Sequence, residues 1–288
     1  MIEYLNNMAG TLTTYEPDNS LKKGYLLIFA EIFNDIKKNR WLTYQLFKRD
    51  FLGLYKQTYM GIIWALVIPI FSVGIFIILN TSGVLSVGNI RAPYPIYAVM
   101  GMMFWQLFSG VLISASNSLA GAGPTIVKIN FSKKSLVIAS LGKSLLSFFI
   151  QLILLVVLFF VYKDTPGPEI ILIPVFMLPV LIFALGLGFI FSLLNAILRD
   201  IGNILSILAT FLMFLTPVFY TRPSEGLLSA ITQYNILYYL VSVPRDIILL
   251  QSAPGLVGFI ISSFVSFAVL VICLVVFHLT ETRITERV

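Results

Sequence analysis

Arg49-Asp50-Phe51-Leu52-Gly53-Leu54-Tyr55-Lys56-Gln57-Thr58-Tyr59-Met60-Gly61-Ile62-Ile63-Trp64 joins two unlike kinds of sequence. Before it, Leu26, Phe29, Phe33 and Ile36 recur at helical spacing, as do Phe47, Phe51 and Leu54, with Lys37, Lys38, Lys48, Arg49 and Lys56 between them. Apolar residues three and four apart share one helix face, so this spacing predicts an amphipathic helix lying in a membrane interface. Its basic residues would face anionic head groups, with Trp41 at the boundary. Beyond the junction the window from about 61 to 80 carries no charge. A helix needs about 20 apolar residues to cross the hydrocarbon core, so the junction couples a surface helix directly to a spanning one.

Five more such windows follow, at about 95 to 116, 144 to 162, 170 to 198, 201 to 220 and 255 to 278. The one at 170 to 198 is long enough to tilt or to kink at Pro174 and Pro179. Between the fifth and sixth windows, the stretch from about 221 to 253 is apolar but interrupted by Thr232-Gln233-Tyr234-Asn235. Backbone that turns at membrane depth needs polar partners and protein cover, so this stretch reads as two short helices that enter and return rather than as a seventh span. The expected fold is an all-α membrane protein with six transmembrane helices, an N-terminal amphipathic interface helix and a re-entrant helical hairpin before the last span. Residues 1–60 form the N-terminal cytoplasmic segment and residues 61–288 the membrane domain.

Charge sets the expected orientation. With the N-terminus inside, 15 of the 19 Lys and Arg fall in inner segments, leaving Arg91, Lys163, Arg222 and Arg245 outside. Both termini are therefore expected in the cytoplasm. The first 24 residues are polar and lack the apolar core of a secretory signal, which leaves the first span to direct insertion.

Composition excludes several function classes. Of 288 residues, 58% are hydrophobic and only 11% charged, and mean hydropathy is +0.95. Soluble domains carry about a quarter charged residues. The net charge of +6 sits at the ends of apolar spans and not on one soluble face, which argues against nucleic acid. The 24 Phe and 13 Tyr exceed what interfacial belts need and suggest aromatic surfaces with a further use. Cys273, the single cysteine, lies in an apolar window and reads as packing.

Catalytic chemistry finds little purchase. His278 is the single histidine and reads as an interfacial side chain. No metal-spaced cluster and no intramembrane carboxylate pair is present, which lowers the metal-enzyme, lipid-modifying and ion-coupled carrier classes. Gly142-Lys143-Ser144 resembles the end of a phosphate-binding loop, but Val137 stands where that loop needs glycine, and the match opens a span instead of following a strand. Any ATP used must be hydrolysed by another polypeptide. Ala184 and Gly188 form a small-residue pair of the kind that packs helices.

Taken together, Arg49-Asp50, Tyr55-Lys56-Gln57, Gly61, Trp64 and Pro69 resemble in order and spacing the type-2 ABC export permeases, and among them the membrane subunits that export lipid-linked polysaccharide: O-antigen, capsule or teichoic acid. Arg199-Asp200, Thr216-Pro217-Val218 with Tyr220, and Asn235 followed by Arg245-Asp246 extend the resemblance over nearly the whole chain. Two positions depart from it, Ile236 where the family commonly has proline and Ser132 after Phe131 where it often has Phe-Pro.

The resemblance implies a homodimeric permease of the bacterial cytoplasmic membrane, paired with two cytoplasmic ABC ATPase subunits that bind ATP and Mg. No cofactor is expected in this chain. Lys128, Phe131, Lys133 and Lys134 would form the segment that contacts the ATPase, and Arg49, Asp50, Tyr55 and Lys56 would belong to the interface helix. Spans one and five would face the dimer axis and bring Trp64, Phe71, Phe211, Phe214, Phe219 and Tyr220 to a conduit. There aromatic rings can hold sugar C–H faces weakly at many points, alongside membrane lipids. A drug or small-lipid efflux permease, or a membrane-embedded lipid-modifying enzyme, are the competing expectations.

Overall fold

The structure is a computed structural model and describes residues 25–53, 63–83, 90–122, 132–250 and 255–284. These residues form helices and no strand. In chain order they are α1 (Tyr25–Lys38), α2 (Arg40–Gly53), α3 (Trp64–Thr81), α4 (Tyr94–Ala122), α5 (Lys133–Ala139), α6 (Leu141–Tyr162), α7 (Ile173–Ile197), α8 (Ile201–Leu215), α9 (Leu227–Tyr234), α10 (Val243–Leu250) and α11 (Leu256–Ile284). A 3-10 turn, Pro168–Leu172, precedes α7, and a π turn, Tyr238–Ser242, precedes α10.

The longest apolar helix that is buried on most of its faces is α4, and it forms the centre of the bundle. It packs against α7, α6, α3 and α8, while α11 covers the far side of α7. Two glycines in α7 permit this sandwich. A Cβ on Gly186 would lie 2.8 Å from Leu270 Cα in α11, and one on Gly188 would lie 2.5 Å from Ala115 Cβ in α4. Residues two apart are about 200° apart around a helix, so the pair brings two neighbours onto opposite faces of one rod. Gly188, read from the sequence as packing, has that role.

Among the described residues, four helical segments are long and apolar enough to cross a membrane: Tyr94–Ala122, Lys133–Tyr162, Pro168–Ile197 and Leu256–Glu281. Their outer faces carry Phe160 at 79% exposure, Ile171 at 77% and Phe264 at 73%. A large apolar surface of that kind requires lipid or a partner.

The first and fifth expected windows are helical but shorter. Helix α3 has 18 residues, about 27 Å at 1.5 Å per residue, and α8 has 15, about 22 Å, against a hydrocarbon core of about 30 Å. The fifth window, expected to run to 220, stops at Leu215 for a backbone reason. Thr216 takes φ −104° and ψ 129°, the extended region that the following Pro217 imposes on its predecessor. In the window at 170 to 198, Pro174 sits in the first turn of α7, where its missing N–H is not needed, and Pro179 is carried inside the helix. The stretch after Thr221 forms two short helices, α9 and α10, as its interrupted pattern predicts.

Helices α1 and α2 are almost one rod, because i to i−4 bonds pass through Asn39 from Asp35 O at 3.0 Å and on to Thr43 N at 2.9 Å. Its faces differ from the expected single apolar stripe. Ile28 and Ile32 are buried, whereas Phe29 and Phe33 are exposed, so α1 is apolar on two sides. Trp41 is 70% exposed. Phe47 and Phe51 stack with centroids 5.8 Å apart on α2, and Gly142 gives room for α2, since a Cβ there would lie 3.0 Å from Phe47 O. The Gly-Lys-Ser sequence is a packing contact.

Candidate functional site

Three arrangements stand out, one at each end of α4 and one of exposed rings on α3 and α8. At the N-terminal end of α4, the break after α8 leaves carbonyl groups without helical partners inside an apolar bundle, where each needs a donor. Ser242 Oγ donates to Pro217 O at 2.9 Å. Arg245, fully buried, donates through Nη1 to Pro217 O at 2.7 Å and to Val218 O at 2.6 Å. Tyr97 O–H donates to Tyr220 O at 3.2 Å, and Asn235 Nδ2 donates to Thr216 Oγ1 at 3.0 Å.

The guanidinium charge is balanced locally. Arg245 Nε donates to Asp246 Oδ1 at 2.9 Å and Nη2 lies 2.8 Å from the same oxygen. The guanidinium carbon sits 3.8 Å from the centroid of the Tyr97 ring, over its electron-rich face. Gly101 makes the close approach possible, because a Cβ there would lie 2.2 Å from Val218 O and 3.3 Å from Arg245 Nη1. The sequence drew attention to Asn235, Arg245 and Asp246, but not to Tyr97, Gly101 or Ser242. Those three were readable through the family resemblance alone.

At the opposite end of α4, Lys134 on α5 is 1% exposed. Its ammonium lies 3.0 Å from Asp35 Oδ2 on α1 and in close contact with Glu281 Oε1 on α11. Ser132 Oγ donates to Asp35 Oδ2 at 3.1 Å, and Lys133 Nζ donates to the Glu281 carbonyl. His278 joins the group, with Nδ1 3.3 Å from Glu281 Oε1 and Nε2 3.7 Å from Glu31 Oε2. A buried ammonium is tolerable only with such partners. Nearby, buried Asn195 on α7 donates to Ser116 O at 3.1 Å and Asn117 Oδ1 at 2.9 Å on α4, and accepts from Gly202 N at 3.0 Å on α8. The three helices are tied where α8 begins. Sequence reading missed Asp35, Glu281 and the contacts of His278.

The third arrangement is apolar. Trp64 and Phe71 on α3 are 45% and 71% exposed, and Phe211 and Phe214 on α8 are 65% and 56% exposed. Of the six rings expected at a conduit, these four lie on open surface. Phe219 is buried and stacks on Phe76 of α3, with centroids 3.6 Å apart and planes at 11°, which brings α3 beside the break in α8. Tyr220 is half-buried, and its O–H donates to Phe214 O at 2.6 Å. Of the residues expected on the interface helix, Arg49 and Asp50 pair on α2, Nη2 to Oδ1 at 2.9 Å. Tyr55, Lys56, Lys128 and Phe131 lie outside the described residues. No group of three or more His, Cys, Asp and Glu suited to a metal occurs among the described residues.

The ABC-2 type transporter family matches residues 42–249. The O-antigen export system permease protein RfbA of Myxococcus xanthus is 25% identical over 221 residues, which cover 72% of this chain and 84% of that protein. A protein of the same name from Klebsiella pneumoniae is 25% identical over 204 residues, covering 69% and 76%. A second from Klebsiella pneumoniae is 23% identical over 174 residues, covering 60% and 66%. The family match takes in most of α2, the exposed rings of α3 and α8 and the Arg245 group, and the chain is a multi-pass transport permease belonging to the ABC-2 type transporter family.

Proposed function

We propose that this chain is the permease subunit of an ABC exporter that moves a lipid-linked polysaccharide of O-antigen type across the bacterial cytoplasmic membrane. The observation that carries this reading is the exposure of Trp64, Ile68 and Phe71 on α3 and of Phe211 and Phe214 on α8, with polar groups gathered into buried sets at the two ends of α4. Rings exposed in this way offer many weak contacts to sugar C–H groups and no strong one, which suits a polymer that must slide. The names of the similar proteins support the same cargo.

In this reading two copies pair across α3 and α8, and six spans count both helices as membrane-crossing. The dimer axis shields them, and α9 with α10 forms the re-entrant hairpin at the outer end. Residues 1–60 lie at the cytoplasmic side, residues 61–288 form the membrane domain, and both termini are inside. Two ABC ATPase subunits bind ATP and Mg, and the chain itself holds no cofactor. Their contact falls on the segment of Lys128, Phe131 and Lys133. Lys134, being buried, braces that segment instead of touching the partner. Closure of the ATPases moves α2 and the contact segment and biases the face between closed and open arrangements.

The test is W64A combined with F214A. Both rings are about half exposed, so their removal leaves the subunit core intact. With ring contacts of about 0.5–1.5 kcal/mol each, transfer of lipid-linked glycan into proteoliposomes is expected to fall about fivefold or more while the ATPase still co-purifies. An equal loss of assembly would assign the two rings to packing.

A further inference from the structure

The break in α8 is held by groups that no part of the α8 helix supplies. The Pro217 and Val218 carbonyls both point to one guanidinium, at 2.7 and 2.6 Å. Pro217 O also accepts from Ser242 at 2.9 Å, and Tyr220 O accepts from Tyr97 at 3.2 Å. Arg245 is fully buried, and Gly101 of α4 leaves no gap for a methyl group beside Val218 O. One nitrogen, Nη1, donates to both carbonyls while Nε and Nη2 face Asp246, so a single rigid planar group holds the two carbonyls and its own counter-ion together. The same short segment ends in Phe219, stacked on Phe76 of α3, and in Tyr220, whose O–H returns to Phe214 on the open face. The guanidinium therefore fixes where the C-terminal end of α8 sits against α3, and with it where Phe214 sits.

We propose that Arg245 is a positioning residue for transport: it latches the C-terminal end of α8 to α4 and α10 in the closed permease, and release of its two carbonyls lets that end of α8 swing away from the conduit. This rests on the reading of α3 and α8 as the conduit wall. A helix end held through one multidentate cation has two discrete arrangements, latched and free, which suits a gate better than continuous bending. Asp246 stays with the cation in both, keeping its charge paired. Lysine at position 245 keeps the charge but lacks the planar group that reaches both carbonyls and Asp246 at once.

The experiment uses the permease and ATPase complex in proteoliposomes, with Cys273→Ala to remove the native thiol and Thr210→Cys as reporter on the exposed side of α8. A membrane-impermeant maleimide is added from the side of α9 and α10. In the absence of ATP, Arg245→Lys is expected to raise the labelling rate about tenfold, the shift given by losing one charge-assisted hydrogen bond, with the ATPase still bound. Gly101→Ala, whose methyl would meet Val218 O at 2.2 Å and Arg245 Nη1 at 3.3 Å while leaving the charge in place, should raise it in the same direction. Unchanged labelling in both variants of an assembled, exporting complex would overturn the assignment of Arg245 and leave the conduit reading standing. Loss of assembly in both would overturn it as well, by reducing Arg245 to folding. If the unsubstituted complex neither exports nor labels at Thr210→Cys under ATP turnover, the conduit reading itself fails.

Discussion

Lys134→Met is expected to destabilise the protein by about 3 kcal/mol or more, because it strands carboxylates that the ammonium now neutralises. Lys134 is 1% exposed and Glu281 14%, with Asp35 at 32%. Removing one partner of a buried ion set leaves uncompensated charge, which costs about 3–5 kcal/mol. Removing all of the charges together is far milder, so Asp35→Asn and Glu281→Gln added to Lys134→Met should recover most of the loss. Thermal unfolding of the purified complex reads both effects. Recovery by the triple variant distinguishes stranded charge from lost packing, since the methylene stem is equally altered in both. The same triple variant separates stability from transmission. It restores folding but removes the ion pairs that tie Lys134 on α5 to α1 and α11, so glycan-stimulated ATP hydrolysis should remain impaired.

The second large effect is expected at Gly186. A Cβ there meets Leu270 Cα at 2.8 Å and Leu270 N at 2.9 Å, which are backbone atoms that no rotamer change can move. Gly186→Leu must therefore part α7 from α11. Overpacking of this kind costs about 1–3 kcal/mol in tolerant sites and more where backbone blocks relaxation, so the variant is expected to lose monodispersity in detergent. Gly74→Ala is the contrasting substitution. Nothing lies within 4 Å of its Cβ position, and alanine favours a helix over glycine by about 1 kcal/mol, so its unfolding temperature should hold or rise. If Gly186→Leu unfolded at the same temperature as Gly74→Ala, the close approach of α7 and α11 would be refuted.

What the sequence made legible follows from the kind of signal each feature leaves. Apolar windows depend on composition, and helices occur in all six. The end of the fifth was missed because hydropathy averages over Thr216-Pro217, whereas the chain is stopped there by backbone sterics. The interface segment shows the limit of periodicity. Phe29 and Phe33 repeat with helical spacing, and so do Ile28 and Ile32 one position away, but only the fold decides that the isoleucines face protein and the phenylalanines do not. The Lys134 group was not readable, since Asp35 is 99 residues away and Glu281 is 147. Arg245 was noticed through resemblance, while its main partners are carbonyl oxygens of Pro217 and Val218, which carry no residue-type signature. The aromatic face was legible as a list of rings. Its division into exposed Phe211 and Phe214 and buried Phe219 depends on the break that hydropathy overlooked.

The central claim is that this permease works as half of an ATP-driven glycan exporter. It is tested most directly by co-expressing and purifying the chain with a candidate ABC ATPase subunit and measuring subunit stoichiometry and ATP hydrolysis with and without lipid-linked polysaccharide. The account predicts a complex of two permeases and two ATPases whose hydrolysis rises with the glycan. A chain that binds no ATPase, or a complex indifferent to the glycan but stimulated by small lipophilic compounds, would contradict it.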